Sequence, residues 1–339
     1  MTMTTMKAVR LHQFGGPEVL HYEDAPRPIA EPGEVLVRVH ASSLNPPDLH
    51  LRNGYRSLPP EWQPSSAFPL ILGTDISGTV VALGEGASGF SIGDEVYAMV
   101  RFPEDLMTGS GANAEYVRVA VNELALKPEG ISHIEAAGAP MSLLTAWQFL
   151  IELGHDVANP FQSIQHTPVP LAGRTVLING AGGGVGHLAV QLAKWQGAHV
   201  IAVASGKHEA LLRDLGADEF IDYLKAAAET AVQNVDLVMD AVGGPHMERF
   251  LAIIKPGGSL FLVNPLGFTG YQDAANDGIT VSSTQVRSSG KQLAEAGELL
   301  EKGRIRVVVE NTYPLAEASA AHERAGRGNI QGKIVLTHL

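Results

Sequence analysis

The stretch INGAGGGVGHLAVQLAK, residues 178–194, decides the fold of this chain. An apolar run leads into the glycine-rich turn, and the spacing of apolar residues predicts an amphipathic helix over 185–195. The register is Ala181-x-Gly183-x-x-Gly186, so alanine takes the first place of a GxGxxG pattern. In such a turn Gly183 lets the backbone approach a pyrophosphate, and Gly186 lets the helix pack closely on the strand. The unpaired amides that begin the helix then face the phosphates, so the stretch predicts a dinucleotide-binding turn.

Strands and helices alternate along the chain after this turn. Apolar strands are predicted at 199–204, 220–221, 235–242 and 259–263, with a helix at 209–215. This alternation indicates a parallel, doubly wound sheet of the Rossmann type. A tight turn without a ligand is the alternative interpretation of the glycines, and the strand–helix units that follow make it the weaker one.

The rest of the chain has a different character. The part before position 131 contains short strands between Gly and Pro turns, and the stretch 131–153 shows helical spacing broken by Pro140. The strands of the first part are predicted at 34–40, 78–83 and 94–100. The tail is predicted to contain a helix at 291–301, a strand at 306–309, a helix at 316–325 and a strand at 333–337.

The segment 154–170 fits no periodic pattern. It contains Pro160, Pro168 and Pro170 and is longer than most connections in compact domains. We interpret it as an exposed insertion, with a lid or an oligomer contact as the alternatives.

Composition narrows the class of protein. The 339 residues exceed the size at which one hydrophobic core usually stops growing, so two domains are expected. A net charge of −12 without a basic cluster argues against nucleic acid and anionic lipid as partners. The chain has no cysteine, which excludes thiol nucleophiles, cysteine zinc sites and iron–sulfur clusters. No apolar run is long enough to span a membrane and the start lacks the apolar core of a secretory signal, so we expect a cytoplasmic protein.

The choice between NAD and NADP depends on the residue that ends the second strand of such a sheet. An Asp or Glu there binds the ribose hydroxyls and repels a 2′-phosphate. Ser205 stands at this place, and the turn continues with Gly206, Lys207 and His208 without an acid. A hydroxyl and a cation favour NADP(H); the alternative is that Lys207 is an ordinary solvated residue.

Eight segments besides the glycine turn carry a family resemblance, in one order along the chain. They are KAVRLHQFGGPEVL at 7–20, SSLNPPDLHLRNGYR at 42–56, LGTDISGTVVALGEGASGFSIGDEVYA at 72–98, AEYV at 114–117, AAGAPMSLLTAW at 136–147, LGADEFIDY at 215–223, DAVGG at 240–244 and QGKIVL at 331–336. With them the chain resembles the zinc-independent quinone oxidoreductase (zeta-crystallin-like) branch of the medium-chain dehydrogenases/reductases, over nearly its whole length.

This resemblance implies an α/β fold in two domains. A GroES-like, partly open β-barrel domain would comprise residues 1–129 and 285–339. A Rossmann NADP-binding domain with a doubly wound parallel sheet would comprise residues 130–284. The family often forms edge-paired oligomers, so a homodimer or homotetramer is expected.

The resemblance also implies the site. Asn45 is expected at the cofactor amide or the substrate carbonyl, Asp48 as its support, Tyr55 in the substrate wall and Thr145 beside the nicotinamide. Purely structural roles stay open for all four residues. Asn45 would then form a turn, Asp48 would cap a helix or belong to a hydrogen-bond network, Tyr55 would pack, and the Thr145 hydroxyl would bond to its own backbone. Whether Tyr55 donates a proton is also left open. Cofactor contacts are implied for Asn45, Thr145, Ala181, Gly183, Gly184, Val185, Gly186, Ser205, Lys207, His208, Tyr223, Val242, Val263, Asn264 and Lys333, of which Tyr223 and Lys333 are expected near the adenosine phosphate.

No metal is expected. Thr74 stands at the position that resembles the zinc-binding histidine of alcohol-dehydrogenase relatives. Without a Lewis acid the acceptor must already be electrophilic, so we expect NADPH-dependent reduction of a quinone. An NADPH-dependent reductase of enones or 2-alkenals is the alternative. A cofactor-binding structural or regulatory protein with little turnover is a third possibility.

Overall fold

A computed structural model of the chain describes residues 4–56, 63, 68–100, 111–157 and 165–338. The chain divides into two compact units. Unit 1 comprises Met1–Leu144, Arg287–Lys302 and Val307–Leu339, and unit 2 comprises Thr145–Val286 and Gly303–Arg306. The domain boundaries expected after positions 129 and 284 differ from these divisions, the first more than the second, and stay predictions.

Unit 2 is built around a six-stranded, fully parallel sheet. Its strands are β9 Thr175–Asn179, β10 His199–Ala204, β11 Glu219–Asp222, β12 Val235–Asp240, β13 Ile254–Leu262 and β14 Thr280–Ser282. They lie in the order β11-β10-β9-β12-β13-β14, so the chain starts in the middle and winds outward to each edge. This is the doubly wound sheet predicted from the sequence, and the strand predicted at 199–204 is β10 residue for residue.

The helices of unit 2 cover the sheet. They are α4 Gly184–Trp195, α5 Glu209–Asp214, α6 Ala228–Ala231 and α7 Tyr271–Asn276. Val176, Leu177 and Ile178 of β9 are all fully buried, as expected for a central strand that is covered on both faces. A further helix, α3 Pro140–Leu150, has its first residues in unit 1 and its last in unit 2.

Unit 1 contains the other strands. These strands are β1 Thr5–Leu11, β2 Leu20–Pro26, β3 Glu34–Ser43, β4 Leu70–Ile71, β5 Asp75–Leu83, β6 Glu95–Met99, β7 Tyr116–Ala120, β8 Leu124–Leu126, β15 Val309–Pro314 and β16 Lys333–Thr337. They form a three-stranded sheet in the order β2-β1-β4 and a larger sheet in the order β15-β16-β3-β5-β6-β8, in which β7 also pairs with β3. The first and last parts of the chain meet here, because β16 pairs antiparallel with β3.

Short helices complete unit 1. They are α1 Pro46–Arg52, α2 His133–Gly138, α8 Gly290–Glu301 and α9 Ala318–Gly326. One apolar cluster lies inside the larger sheet and includes Val37, Ile76 and Val96. A second cluster joins α1 to the chain termini through Leu51, Leu11 and other apolar residues. The β-rich first part, with this mixed tail, is the GroES-like fold that the resemblance implies.

Two connecting segments can be compared with their expectations. The strand expected at 306–309 begins only at Val309, because the side chain of Gln191 takes both backbone groups of Arg306 and the ladder with β16 starts at Val309. The described residues of the 154–170 segment are mostly exposed, as expected, but His166 is buried, with hydrogen bonds to Phe149 O and Ser282 Oγ. Positions 158–164 of that segment lie outside the described residues.

Among the described residues, none of the helices has the length and apolar character needed to cross a membrane.

Candidate functional site

The glycine-rich turn of unit 2 connects β9 to α4. Gly180 has a φ of 77°, in the left-handed region that favours glycine. A Cβ atom added at Gly186 would lie 2.1 Å from the carbonyl oxygen of Gly180. Only glycine at position 186 therefore allows the helix to approach the strand, which is the packing contact that the motif predicts.

Gly183, at the beginning of α4, is constrained differently. A Cβ atom there would meet only the carbonyl oxygen of Gly180, at 3.5 Å, which is an ordinary contact. Internal packing therefore does not require this glycine. Ala181 is fully buried, whereas Gly184 and Val185 are the first helical residues, whose amides have no partner within the helix. Space in front of the positive end of a helix fits the pyrophosphate of a dinucleotide.

The turn after β10 carries the residues expected to select the cofactor. Ser205 is buried and Lys207 is exposed. The ring of His208 is buried, and its Cδ2 atom would lie 2.8 Å from a Cβ atom at Gly182. Lys207 is thus the exposed cation of this turn, whereas His208 packs beneath the glycine-rich turn.

A carboxylate that the sequence analysis did not find lies beside the same turn. Asp222 ends β11, and its Oδ2 atom would be 2.6 Å from a Cβ atom at Gly206. The parallel pairing of β10 with β11 places Ala204 opposite Asp222, and no local sequence pattern reveals that pairing. Lys225 pairs with Asp222 at 3.4 Å, and Tyr223 between them is 52 % exposed.

The loops after β12 and β13 lie at the same edge of the sheet. Val242 is 59 % exposed, and its Cγ2 atom would lie 2.7 Å from a Cβ atom at Gly180. Asp240 shapes both loops, because its Oδ1 accepts a hydrogen bond from the Val242 amide and its carbonyl accepts one from the Val263 amide. Asn264 follows and is exposed. Apart from Thr145, which lies in α3, the expected cofactor residues of unit 2 therefore gather at the carboxyl ends of its strands.

In unit 1 a polar cluster forms where α1 begins. Asp48, at the third position of α1, is fully buried and reaches back to the amide of Asn45 through Oδ2, at 2.8 Å. Its Oδ1 accepts a hydrogen bond from the amide of Gly73 at 2.9 Å. Asp48 is thus a network member that ties α1 to the start of β5, one of the interpretations that the sequence left open.

The same cluster contains a buried pair of opposite charges. Lys333, the first residue of β16, donates from Nζ to Asn45 Oδ1 at 2.5 Å and lies 3.5 Å from Asp75 Oδ2. Asp75 Oδ2 also accepts from Asn45 Nδ2 at 2.8 Å and from Ser43 Oγ at 3.0 Å. Its other oxygen accepts from the amide of Met141, at the start of α3, at 2.9 Å.

Burial controls the charges of this cluster. Desolvation raises the pKa of Asp48 to about 7, although the hydrogen bonds from the Asn45 and Gly73 amides oppose this shift. Desolvation also raises the pKa of Asp75 and lowers the pKa of Lys333, and in each case the charge of the other opposes it. The cluster is therefore poised to hold a proton on Asp48 near neutral pH.

Tyr55 and Thr145 were the other residues expected in the catalytic site, in the substrate wall and beside the nicotinamide respectively. Tyr55 has a φ of 49°, stacks on the ring of His50 and packs against the cluster of apolar residues around Leu51. Its pKa is raised by burial and by the charge of Asp48, so its hydroxyl is a weaker acid than that of a free tyrosine. Thr145 is buried in α3, the helix whose start is bonded to Asp75.

The role expected of Lys333 does not fit its place in the structure, and the role expected of Asn45 stays a prediction. Lys333 was expected near the adenosine phosphate, but its ammonium is buried in unit 1 against Asn45 and Asp75, so it is not available to a phosphate. Asn45 makes the hydrogen bonds of its amide inside the cluster, and its direct contact with cofactor or substrate stays a prediction. Asp75 itself was missed, because only the three-dimensional fold brings it to Lys333, far away at the other end of the chain.

Comparison with known proteins identifies the family. Residues 31–129 match the family described as alcohol dehydrogenase GroES-like domain, and residues 215–336 match the family described as zinc-binding dehydrogenase. The chain is 33 % identical to the zebrafish (Danio rerio) protein named NAD(P)H oxidoreductase RTN4IP1, mitochondrial, over 98 % of this chain and 92 % of that protein. It therefore belongs to the medium-chain dehydrogenase/reductase family, in the zinc-independent quinone oxidoreductase branch. The chain is accordingly an NAD(P)-dependent oxidoreductase.

Two further relatives bear on the substrate. The chain is 31 % identical to the Arabidopsis thaliana protein named NADPH-dependent alkenal/one oxidoreductase, chloroplastic, over 98 % of this chain and 79 % of that protein. The solved structure of the quinone oxidoreductase from Coxiella burnetii superposes with a TM-score of 0.85 and 32 % identity, covering 99 % of this chain and all of that one.

One of the matching families is described as zinc-binding, but the described residues of this chain provide no set of zinc ligands. No group of three or more His, Asp or Glu side chains within them could hold a metal ion, and the whole sequence lacks cysteine. The position that resembles the zinc-binding histidine of relatives is occupied by Thr74, which is buried. That the protein works without a metal stays a prediction.

Proposed function

We propose that this protein is an NADPH-dependent quinone oxidoreductase. The observation that carries the proposal is the space at Gly183, which internal packing leaves open in front of the amides that begin α4. A dinucleotide pyrophosphate fits this cradle, and the exposed Val242, next to Gly180 of the same turn, offers apolar surface beside it. When bound, the reduced nicotinamide supplies a hydride.

The turn after β10 supports NADPH over NADH. Ser205 offers a hydroxyl and Lys207 an exposed ammonium, where an NAD-specific protein has an acid. The carboxylate of Asp222 lies near, but it is paired with Lys225 and thereby partly neutralised. Because one charge-assisted hydrogen bond contributes about 1.5–3 kcal/mol, we expect NADPH to be preferred by at least about tenfold.

The polar cluster of unit 1 supports a quinone as acceptor. Lys333 donates to Asn45 Oδ1, Asn45 Nδ2 donates to Asp75, and burial makes the Tyr55 hydroxyl a weaker acid. A quinone accepts hydride without a proton from the protein, since the quinol anion is stable enough to take its proton from water. An enone needs a proton at carbon, so this arrangement suits it less.

Reduction of an enone or 2-alkenal is the second candidate. One relative is named NADPH-dependent alkenal/one oxidoreductase, and Tyr55 remains the residue whose hydroxyl could supply the proton. A requirement for the Tyr55 hydroxyl in alkenal turnover, with weak quinone turnover, would favour this candidate.

The experiment follows NADPH and NADH oxidation optically against a panel of quinones, enones and 2-alkenals. Wild-type protein is compared with Ser205→Asp, and with Ser91→Asp at an exposed serine of unit 1 as the control for an added charge. We expect Ser205→Asp to erase or reverse the NADPH preference and Ser91→Asp to keep it. Equal use of both cofactors by the wild type would refute the assignment of NADPH. Cofactor binding without oxidation by any acceptor would instead indicate a structural or regulatory protein.

Assembly and location are proposed on the sequence alone. We propose a homodimer or homotetramer, which light scattering during gel filtration measures directly. A cytoplasmic location follows from the sequence analysis, whereas the zebrafish relative is named mitochondrial, and fractionation of cells that express the protein decides between them.

A further inference from the structure

Among the described residues, the ammonium of Lys333 is a deeply buried charge that the proposed reaction does not use. Its side chain is 3 % exposed and that of Asp75 is 0 % exposed. A buried charge is costly unless it is paired and hydrogen-bonded, so this pair must be held by its surroundings. Those surroundings include Asn45, a residue that the family resemblance places in the pocket.

The two charges fix the orientation of the Asn45 amide. A terminal amide can turn over and exchange the places of its oxygen and nitrogen at little intrinsic cost. Here Lys333 can only donate and the ionised Asp75 can only accept, so Oδ1 must face Lys333 and Nδ2 must face Asp75. The reversed amide would place N–H groups against an ammonium and an oxygen against a carboxylate.

Asp75 also fixes a second element. Its Oδ1 accepts a hydrogen bond from the amide of Met141, in the first turn of α3. A carboxylate at a helix N-terminus is favoured by the helix dipole. The charge of Lys333 opposes the rise that burial causes in the pKa of Asp75, so Lys333 acts on α3 through Asp75.

We propose that Lys333, acting with Asp75, is a positioning residue for the reaction: together they lock the amide of Asn45 and the first turn of α3. This inference rests on the proposed function for its effect on turnover. Lys333 needs no contact with cofactor or substrate, because both of the groups it sets are already bonded inside the cluster. A misplacement of about 1 Å at a reacting geometry can cost about 10²-fold in rate.

The test compares Lys333→Met with a matched control in the same unit. Lys127 is also largely buried, with 8 % of its side chain exposed. Its Nζ atom lies 3.2 Å from a carboxylate oxygen of Glu95, and this pair is not part of the cluster around Asn45. Each variant removes one buried ammonium. We expect Lys333→Met to lower kcat by about 10²-fold and Lys127→Met to change it by less than about threefold. Because Lys333→Met leaves Asp75 unpaired and can prevent folding, the double variant Lys333→Met/Asp75→Asn removes both charges and keeps their volume.

A second readout does not depend on turnover. Hydrogen exchange of the amide of Met141, followed by mass spectrometry, should be slow in the wild type and at least about tenfold faster in the Lys333 variants. The double variant should regain thermal stability without regaining kcat, which separates positioning from mere stabilisation. If the wild type oxidises no NADPH, the proposed function fails, while exchange at Met141 still decides the inference. Equal effects of the Lys333 and Lys127 variants, or a folded Lys333 variant with wild-type turnover and exchange, would overturn it.

Discussion

Replacing Asp48 by Asn should change how the stability of the protein depends on pH. Asp48 is fully buried at the start of α1, where both carboxylate oxygens accept hydrogen bonds from backbone amides. Burial raises its pKa from an ordinary value of 3.8 to about 7 in the folded protein. Between these values the folded protein binds a proton that the unfolded chain has lost, so stability falls as pH rises through this window.

The magnitude follows from the size of the shift. Each pKa unit corresponds to about 1.4 kcal/mol, so a shift of about three units gives about 4 kcal/mol between pH 4 and 7. Asn cannot titrate, so Asp48→Asn lacks this pH-dependent part, although it also loses one hydrogen bond at every pH. The free energy of unfolding of the wild type minus that of Asp48→Asn should therefore fall by about 1.4 kcal/mol per pH unit from pH 5 to 7, and level off above.

Urea unfolding followed by circular dichroism and fluorescence at pH 5, 6, 7 and 8 measures this difference. Asp24→Asn, at an exposed carboxylate of unit 1, is the matched control. A difference between wild type and Asp48→Asn that stays flat, or that grows with pH, would show that Asp48 is already ionised throughout and that burial does not control its proton.

Three further predictions test the site. Gly183→Ala should keep the melting temperature within about 2 °C but weaken NADPH binding at least about tenfold, because its methyl group enters the space left for pyrophosphate. Gly186→Ala should lower the melting temperature itself, because its methyl group would collide with Gly180 O. Calorimetry measures the melting temperatures, and fluorescence titration measures NADPH binding. Tyr55→Phe should leave quinone turnover within about threefold, whereas a drop of about 10²–10⁴-fold for enones alone would identify Tyr55 as their proton donor. Elemental analysis should find no stoichiometric zinc and chelators should not change activity, since the chain lacks cysteine and carries Thr74; one tightly bound zinc per chain would contradict this.

Local patterns predicted the doubly wound sheet well. The glycine turn and the apolar strands are short-range signals, and both β10 and β16 have the predicted bounds. The strand expected at 306–309 begins only at Val309, because Gln191, distant in sequence, binds the backbone of Arg306 in place of a neighbouring strand. A side-chain partner of this kind leaves no trace in the apolar pattern of the segment that it binds.

The candidate site was only partly predictable for a similar reason. Gly183 and Gly186 lie in one continuous motif and Ser205 ends the strand that follows it, so their places followed from spacing alone. The roles of Asp75 and Lys333 depend on strand pairing between the two ends of the chain, and the family resemblance assigned Lys333 to a phosphate instead. A buried acid at the start of a strand looks, in sequence, like any other turn residue.

The pairing of Lys333 with Asn45 has a consequence for how the protein is made. The two residues are 288 positions apart, so the ribosome releases both acidic residues of the cluster long before the lysine that balances them. Unit 2 is almost continuous in sequence and can fold during synthesis, whereas unit 1 must wait for β16. A chain that stopped just before this strand would keep Asp48 and Asp75 but lose both the countercharge and the neighbour of β3. Truncation before β16 is therefore expected to destabilise unit 1, because Asp75 would lose the ammonium that pairs with it and β3 would lose a neighbouring strand.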